Sequence, residues 1–279
     1  QDWLGRSEVI LVRTALAPRR PMARLLCGGA AVLAPLPLLL LLLLAPRAAS
    51  QDASPQLAHH IVANTPAGNI RAALDAFVAF SESHGLGMHL GKEKGDLIEV
   101  SVGHGLPESG PAVVFEMGCH AGDGTLSAMG ALKERTGSTV ISTEENKKWL
   151  EATKRVVGHA TTGMDIKFLP FSFGADEDLD LLLDTLQTKH GITHFDSVIF
   201  DHDEHLFLTH LKIVVGRGFL RPGSTVYVDN VKRKGKQLRK YMEFVNTKAK
   251  KGFETEIRHI SKPYPDAVAI STWWGASEL

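Results

Sequence analysis

The chain has 279 residues, enough for one large α/β domain or two small ones, and its 31 Lys and Arg balance 31 Asp and Glu to a formal net charge of +0 at pH 7. That balance argues against a dedicated nucleic-acid binder, which needs a basic footprint. Two cysteines, Cys27 and Cys119, offer no disulfide framework, and Cys119 reads as a small buried side chain.

The chain begins with Gln1, and its first methionine is Met22. Residues 1–21 read as an upstream segment outside the natural product. From Met22 the pattern is that of a targeting segment: Arg24, an apolar stretch over 25–45 with unbroken leucine from Leu38 to Leu44, then Ala48 and Ser50, which suit cleavage before Gln51. Residues 22–50 are therefore expected to be a signal peptide. A signal anchor is the alternative, although Pro35 and Pro37 interrupt a stretch already borderline for a span of about 20 residues. Either form implies the secretory pathway, with membrane contact only through an uncleaved leader, and leaves 51–279 as the folded domain.

After a polar link, a helix is predicted over 57–64. Asn69 can cap the next helix, in which Ile70, Leu74, Phe77 and Val78 fall at helical spacing and Gly85 is the stop signal. Residues 88–95 read as a polar turn before a short helix over 96–102. From Val113 the rhythm becomes regular. Strands are predicted at 113–117, 138–143, 166–171, 196–201 and 224–229, with helices at 124–135, 145–158, 176–190 and 204–215 between them, and one more helix over 236–250. Strand and helix alternating at this spacing mean a parallel sheet with right-handed crossovers. Two β-rich runs, 253–260 and 267–273, form an antiparallel closing pair. The expected fold is α/β, a doubly wound, Rossmann-like, seven-stranded sheet, mostly parallel with an antiparallel C-terminal strand and helices on both faces.

The chain is organised around Val113 to Ala128. An apolar run ends in Glu116, and Gly118, Gly122 and Gly124 follow before a helix begins. Glycines there let a ligand approach the backbone, and a helix N-terminus receives a carboxylate or phosphate. The spacing, Gly-x-x-x-Gly-x-Gly, differs from the Gly-x-Gly-x-x-Gly of dinucleotide enzymes, and fits S-adenosylmethionine better than NAD. Glu144 ends the second strand, where an acid accepts hydrogen bonds from ribose hydroxyls. Asp201 ends the fourth strand and Asp229 and Asn230 follow the fifth. Two carboxylates and an amide carbonyl are hard oxygen ligands suited to Mg²⁺, while Asp-Asn after a strand is also a turn signal. His202 and His205 beside Asp201 leave zinc or manganese as softer alternatives.

These residues resemble the catechol O-methyltransferases, Mg²⁺-dependent enzymes that use S-adenosylmethionine. The resemblance runs from about His59 to Gly275. It rests on Pro66-x-Gly68-Asn69, Met88-x-x-Gly91-x-x-x-Gly95, Glu116-x-Gly118-x-x-x-Gly122, Glu144 with Asn146, Asp201-His202, and Leu220-Arg221-x-Gly223 leading to Asp229-Asn230-Val231. It implies that Leu90, Glu116, Gly118, His120, Gly122, Gly124, Glu144, Glu145, Asp201 and His202 surround the cofactor, with Ser172 near its adenine. Asp201, Asp229 and Asn230 would be the Mg²⁺ ligands. The implied reaction passes a methyl group to a hydroxyl of a small acceptor, and the chain is expected to work as a monomer.

The departures are specific. Glu204 stands where the family has its catalytic lysine, Asp203 where it has a tryptophan wall, Leu86 at the other aromatic wall position, and Lys232-Arg233-Lys234 replace the segment that carries a proline. Glu204 is open to three readings: general base, additional metal ligand or solvated helix-start residue. The basic run reads as a solvated loop or as a lure for an anionic acceptor. A catalytically silent cofactor-binding homologue is the alternative function.

Overall fold

The computed structural model describes residues 53–174, 177–246 and 252–275, which all fall in one compact unit spanning 46–279. The predicted leader and upstream segment lie outside the described residues. Among the described residues no helix is long and apolar enough to cross a membrane.

Among the described residues three helices come first: α1 (Ala53–Asn64), α2 (Ile70–His84) and α3 (Gly91–Gly105). Asn69 caps α2 by accepting the Ala72 N–H at 3.0 Å, and Gly85 ends it in the left-handed conformation, as the sequence predicts. The alternating part then runs β1 (Val113–Met117), α4 (Asp123–Leu132), β2 (Ser138–Glu144), α5 (Lys147–Ala160), β3 (Ile166–Ser172), α6 (Leu179–His190), β4 (Phe195–Phe200), α7 (Phe207–Gly216) and β5 (Leu220–Val228). It closes with α8 (Gly235–Asn246), β6 (Phe253–Ile260) and β7 (Asp266–Trp273). The predicted end of the helix over 236–250 lies outside the described residues.

The seven strands form one sheet in the order β3-β2-β1-β4-β5-β7-β6. The first five pair in parallel, and β7 runs antiparallel to both neighbours. Side chains alternate across it with the period of two that a pleated strand imposes. Val114, Val140, Ile199 and Tyr227 join the core under α1–α5, while Phe115, Ile141, Val198 and Val228 join the core under α6–α8. Both faces are covered, so the central strands are buried, β4 at every residue and β1 from Val114 to Met117.

Among the elements whose bounds differ from the sequence reading, two bear on the site. Helix α3 starts at Gly91, not at residue 96, so Lys92, Glu93, Lys94 and Gly95 are helical. Gly95 reads as a turn residue, yet its role is packing: a Cβ there would come within 2.9 Å of Ser127 Oγ on α4. Strand β5 starts at Leu220, four residues before the predicted start, because a register shift between Phe195 and Ser197 accommodates Pro222 and Gly223 within the strand.

Candidate active site

The carboxyl ends of β1, β2, β4 and β5 meet at one edge of the sheet, as expected for a ligand site in an open α/β fold. Thr143 O accepts both Gly118 N–H at 3.0 Å and Cys119 N–H at 2.9 Å, so β1 turns sharply over β2. Asp201 N–H donates to Met117 O at 3.0 Å, and Asp229 N–H to Phe200 O at 3.1 Å, carrying the ladder one residue past β4 and β5. Gly118 has φ +87°, and a Cβ there would press on the Asp201 carbonyl and His202 nitrogen. Only glycine lets the loop after β4 cross the loop after β1 this closely.

Above these ends lies a cavity of about 660 Å³, within the range of small-molecule and cofactor sites. Of the residues singled out from sequence, Leu90, Gly118, His120, Glu144, Glu145, Asp201, His202, Glu204, Asp229 and Asn230 line it. Glu116, Gly122, Gly124 and Ser172 do not. Glu116 is buried behind the wall, where Oε2 accepts from Thr125 Oγ1 at 2.5 Å and Ser142 Oγ at 2.7 Å. Gly124 serves it, since a Cβ there would collide with Glu116 Oε1. The pair locks α4 to β1 and β2. Gly122 packs against Thr153 of α5, and Ser172 is an exposed residue at the end of β3.

At one end of the cavity Glu144 is held by two backbone N–H groups, His120 N–H on Oε2 at 2.8 Å and Asn146 N–H on Oε1 at 2.9 Å. Burial raises its carboxyl above the usual value, while these bonds pull the other way. The His120 ring lies 3.9 Å from that of Trp149. His202 Nε2 is 2.8 Å from His210 Nδ1, and the two rings stack 14° from parallel. Burial drives the imidazoles to the neutral form, His120 down to about 4 and His202 to about 3. The Nδ1 atoms of His89, His120 and His202, all on the cavity wall, are buried without a hydrogen-bond partner. Buried polar atoms are normally satisfied, so these three call for a polar ligand.

At the other end Asp201, Asp229 and Asn230 converge. Burial, then the neighbouring Asp229, push the Asp201 carboxyl well above the usual range against the pull of Lys94. Lys94 Nζ donates to Asp229 Oδ2 at 2.8 Å, Asp266 Oδ2 at 3.1 Å and Asn230 Oδ1 at 3.2 Å. Beside this cluster, Lys234 Nζ pairs with Glu204 Oε1 at 3.0 Å, and the Arg233 guanidinium lies 4.1 Å from the centre of the Tyr264 ring. Glu204 is not on a helix: Asp203 accepts His205 N–H at 3.0 Å and Leu206 N–H at 3.0 Å, a turn that delays α7 to Phe207.

His89, Lys94, Asp123, Trp149, His210, Tyr264 and Asp266 lie at the candidate site or directly behind it and were missed by sequence reasoning. Asp123 Oδ2 accepts Leu90 N–H at 2.8 Å and so fixes the loop before α3; burial raises its carboxyl to about 6. A signal for Lys94 existed: Lys94, Ile98 and Val102 recur every four residues on the buried stripe of α3, so this lysine occupies a core position.

No protein-family model matches the chain. It is 32% identical over 178 residues to a probable O-methyltransferase of Mycobacterium tuberculosis, covering 63% of this chain and 72% of that one. Over 176 residues it is 25% identical to catechol O-methyltransferase of Bos taurus, where it spans 60% of the relative's length. A transmembrane O-methyltransferase homolog of Rattus norvegicus is 26% identical over 191 residues, covering 67% of this chain and 68% of the relative. Among solved structures, an O-methyltransferase from Bacillus cereus in complex with SAH superposes with a TM-score of 0.53 at 16% identity, over 82% of this chain and 93% of that one. One from Streptomyces achromogenes in complex with SAM gives 0.54 at 16% identity, over 72% and 89%. The structural likeness speaks for the fold. Taken with the sequence relatives and the strand-end acids, it shows that the chain belongs to the O-methyltransferase family that includes the catechol O-methyltransferases.

Proposed function

We propose that this protein transfers a methyl group from S-adenosylmethionine to a hydroxyl oxygen of a small acceptor, assisted by a divalent cation. The observation that carries the reading is the single cavity that joins Glu144 and the three orphan imidazole nitrogens to the cluster of Asp201, Asp229 and Asn230. Glu144 would accept the ribose hydroxyls, with His120 and His202 beside the nucleoside. Glu145 and Leu90 complete that wall, and the neutral imidazoles add no charge against the sulfonium.

Asp201, Asp229 and Asn230 fit a hard cation. Lys94 balances one of the three carboxylates of Asp201, Asp229 and Asp266, so the buried cluster is left with room for two positive charges when all three are ionised. Among the described residues no group of three or more His, Cys, Asp and Glu side chains is placed for a metal; in this reading the Asn230 amide would be the third protein ligand. A bound Mg²⁺ would supply a Lewis acid that lowers the pKa of the acceptor hydroxyl.

S-adenosylmethionine, when bound, would supply the methyl group to the acceptor oxygen and keep the carbon–sulfur electron pair, and Glu204 would take the proton that the acceptor hydroxyl gives up. Lys234 holds Oε1 of that carboxylate, leaving Oε2 for the proton. A second reading, a silent cofactor-binding homologue, is favoured by the same ion pair, since it fills the place of the family's lysine. The protein is expected to act as a monomer, and the leader at 22–50 to send it into the secretory pathway as the folded domain 51–279.

Calorimetric titration of S-adenosylmethionine into the protein, followed by methyl transfer to a set of catechols with Mg²⁺ and with EDTA, tests this. Binding with metal-dependent transfer is expected. Binding without transfer to any acceptor supports the silent homologue, and no binding by folded protein sinks both.

A further inference from the structure

Lys94 is completely buried, which lysine almost never is unless paired. Its ammonium has three protons, and each has an acceptor: Asp229 Oδ2, Asp266 Oδ2 and Asn230 Oδ1. The ring of Tyr264 faces it at 5.1 Å. The other Asp266 oxygen is engaged too, accepting Arg233 N–H at 3.0 Å and Ala267 N–H at 2.8 Å. Lys94 thus ties α3 to the end of β5 and the start of β7. Two of its three acceptors are the residues read above as metal ligands.

We propose that Lys94 is a resident cation that competes with the metal for Asp229 and Asn230, so that it holds both ligands in place beforehand and keeps the affinity of the site for a divalent cation low. The inference rests on the reading of Asp201, Asp229 and Asn230 as that site. An ammonium and a divalent cation that share the same oxygen lone pairs repel each other in a setting that water does not screen. Asp266, the acceptor of Lys94 that is not among the proposed metal ligands, offsets part of this by keeping a partner for the ammonium when a metal takes Asp229 and Asn230. A further consequence is that an acceptor bringing negative oxygens to the metal relieves the repulsion, so metal and acceptor bind with positive coupling.

The test measures Mn²⁺ binding alone, from the paramagnetic resonance signal of the free ion, on the whole protein as wild type, K94M and K94M/D266N. The double variant removes one of the carboxylates that K94M strands in the interior, the one outside the proposed metal site, and it decides the matter where K94M does not fold. The expected result is Mn²⁺ affinity at least about tenfold higher in the folded variant than in wild type. Equal or weaker binding by the folded variant, with wild type binding, overturns the competition and leaves the metal reading standing. No binding by wild type or variants overturns both.

Discussion

Lys234 Nζ lies 3.0 Å from Glu204 Oε1, and the lysine is itself fixed by its N–H donating to Asn230 O at 2.8 Å. Where the resemblance implies a lysine the chain carries Glu204, and the positive charge that meets it comes from Lys234, in the segment after β5. Placing lysine at 204 would therefore set two ammonium groups against each other. E204K alone is expected to transfer methyl more slowly than wild type, and E204K/K234M to exceed E204K. Initial rates with catechol and labelled S-adenosylmethionine decide it; an E204K enzyme faster than wild type would show that the pair is not a unit.

Glu144 makes two hydrogen bonds that shape the cavity, to His120 N–H and Asn146 N–H. E144A removes an ionised acceptor from the proposed ribose position and frees both loops. Affinity for S-adenosylmethionine should fall about 10- to 100-fold, the value of one or two charge-assisted hydrogen bonds. Calorimetry reads this directly, and an unchanged dissociation constant would remove Glu144 from the cofactor site.

Glu116 predicts a pH dependence of stability. Burial raises its carboxyl to about 7, opposed by the Ser142 and Thr125 hydroxyls. A carboxyl whose folded pKa lies above its unfolded value favours folding fully below the unfolded value, about 4.5, and that contribution is lost as pH rises through about 7. E116Q should abolish this loss, gaining on the order of 2–3 kcal/mol relative to wild type between pH 4.5 and pH 8. Urea denaturation of both proteins at the two pH values checks the sign.

Gly118 is held at φ +87° beneath the loop that carries Asp201 and His202. G118A meets both a strained backbone and a filled gap, and should cost about 2–4 kcal/mol. Thermal unfolding measures it. A normal midpoint with lost cofactor affinity would mean that the loop shifts instead.

The sheet was legible because its strands are short apolar runs, set off by glycine turns and spaced by amphipathic helices; each of the seven appears within a few residues of its expected place. The positions of Glu144, Asp201 and Asp229 at strand ends were legible for the same reason. What stayed hidden is tertiary. Glu116 and Gly124 look like ligand contacts, but their partners are each other, Thr125 and Ser142, which only packing reveals. Lys94 lies inside a stretch whose glycines imitate a turn, and Asp266 reads as the last residue of a loop. Their bond spans 172 positions of sequence.

Strand β7 enters the sheet between β5 and β6, and its first residue is Asp266. A nascent chain that has completed β6 therefore has no neighbour for that strand, and Lys94 still lacks one of its acceptors. Strand β7 closes the sheet by pairing with both β5 and β6 and, through Asp266, brings one of the three acceptors to the Lys94 ammonium. Sheet closure and the Lys94 anchor are consequently coupled: the register that seats β7 against β6 also sets Asp266 against the ammonium.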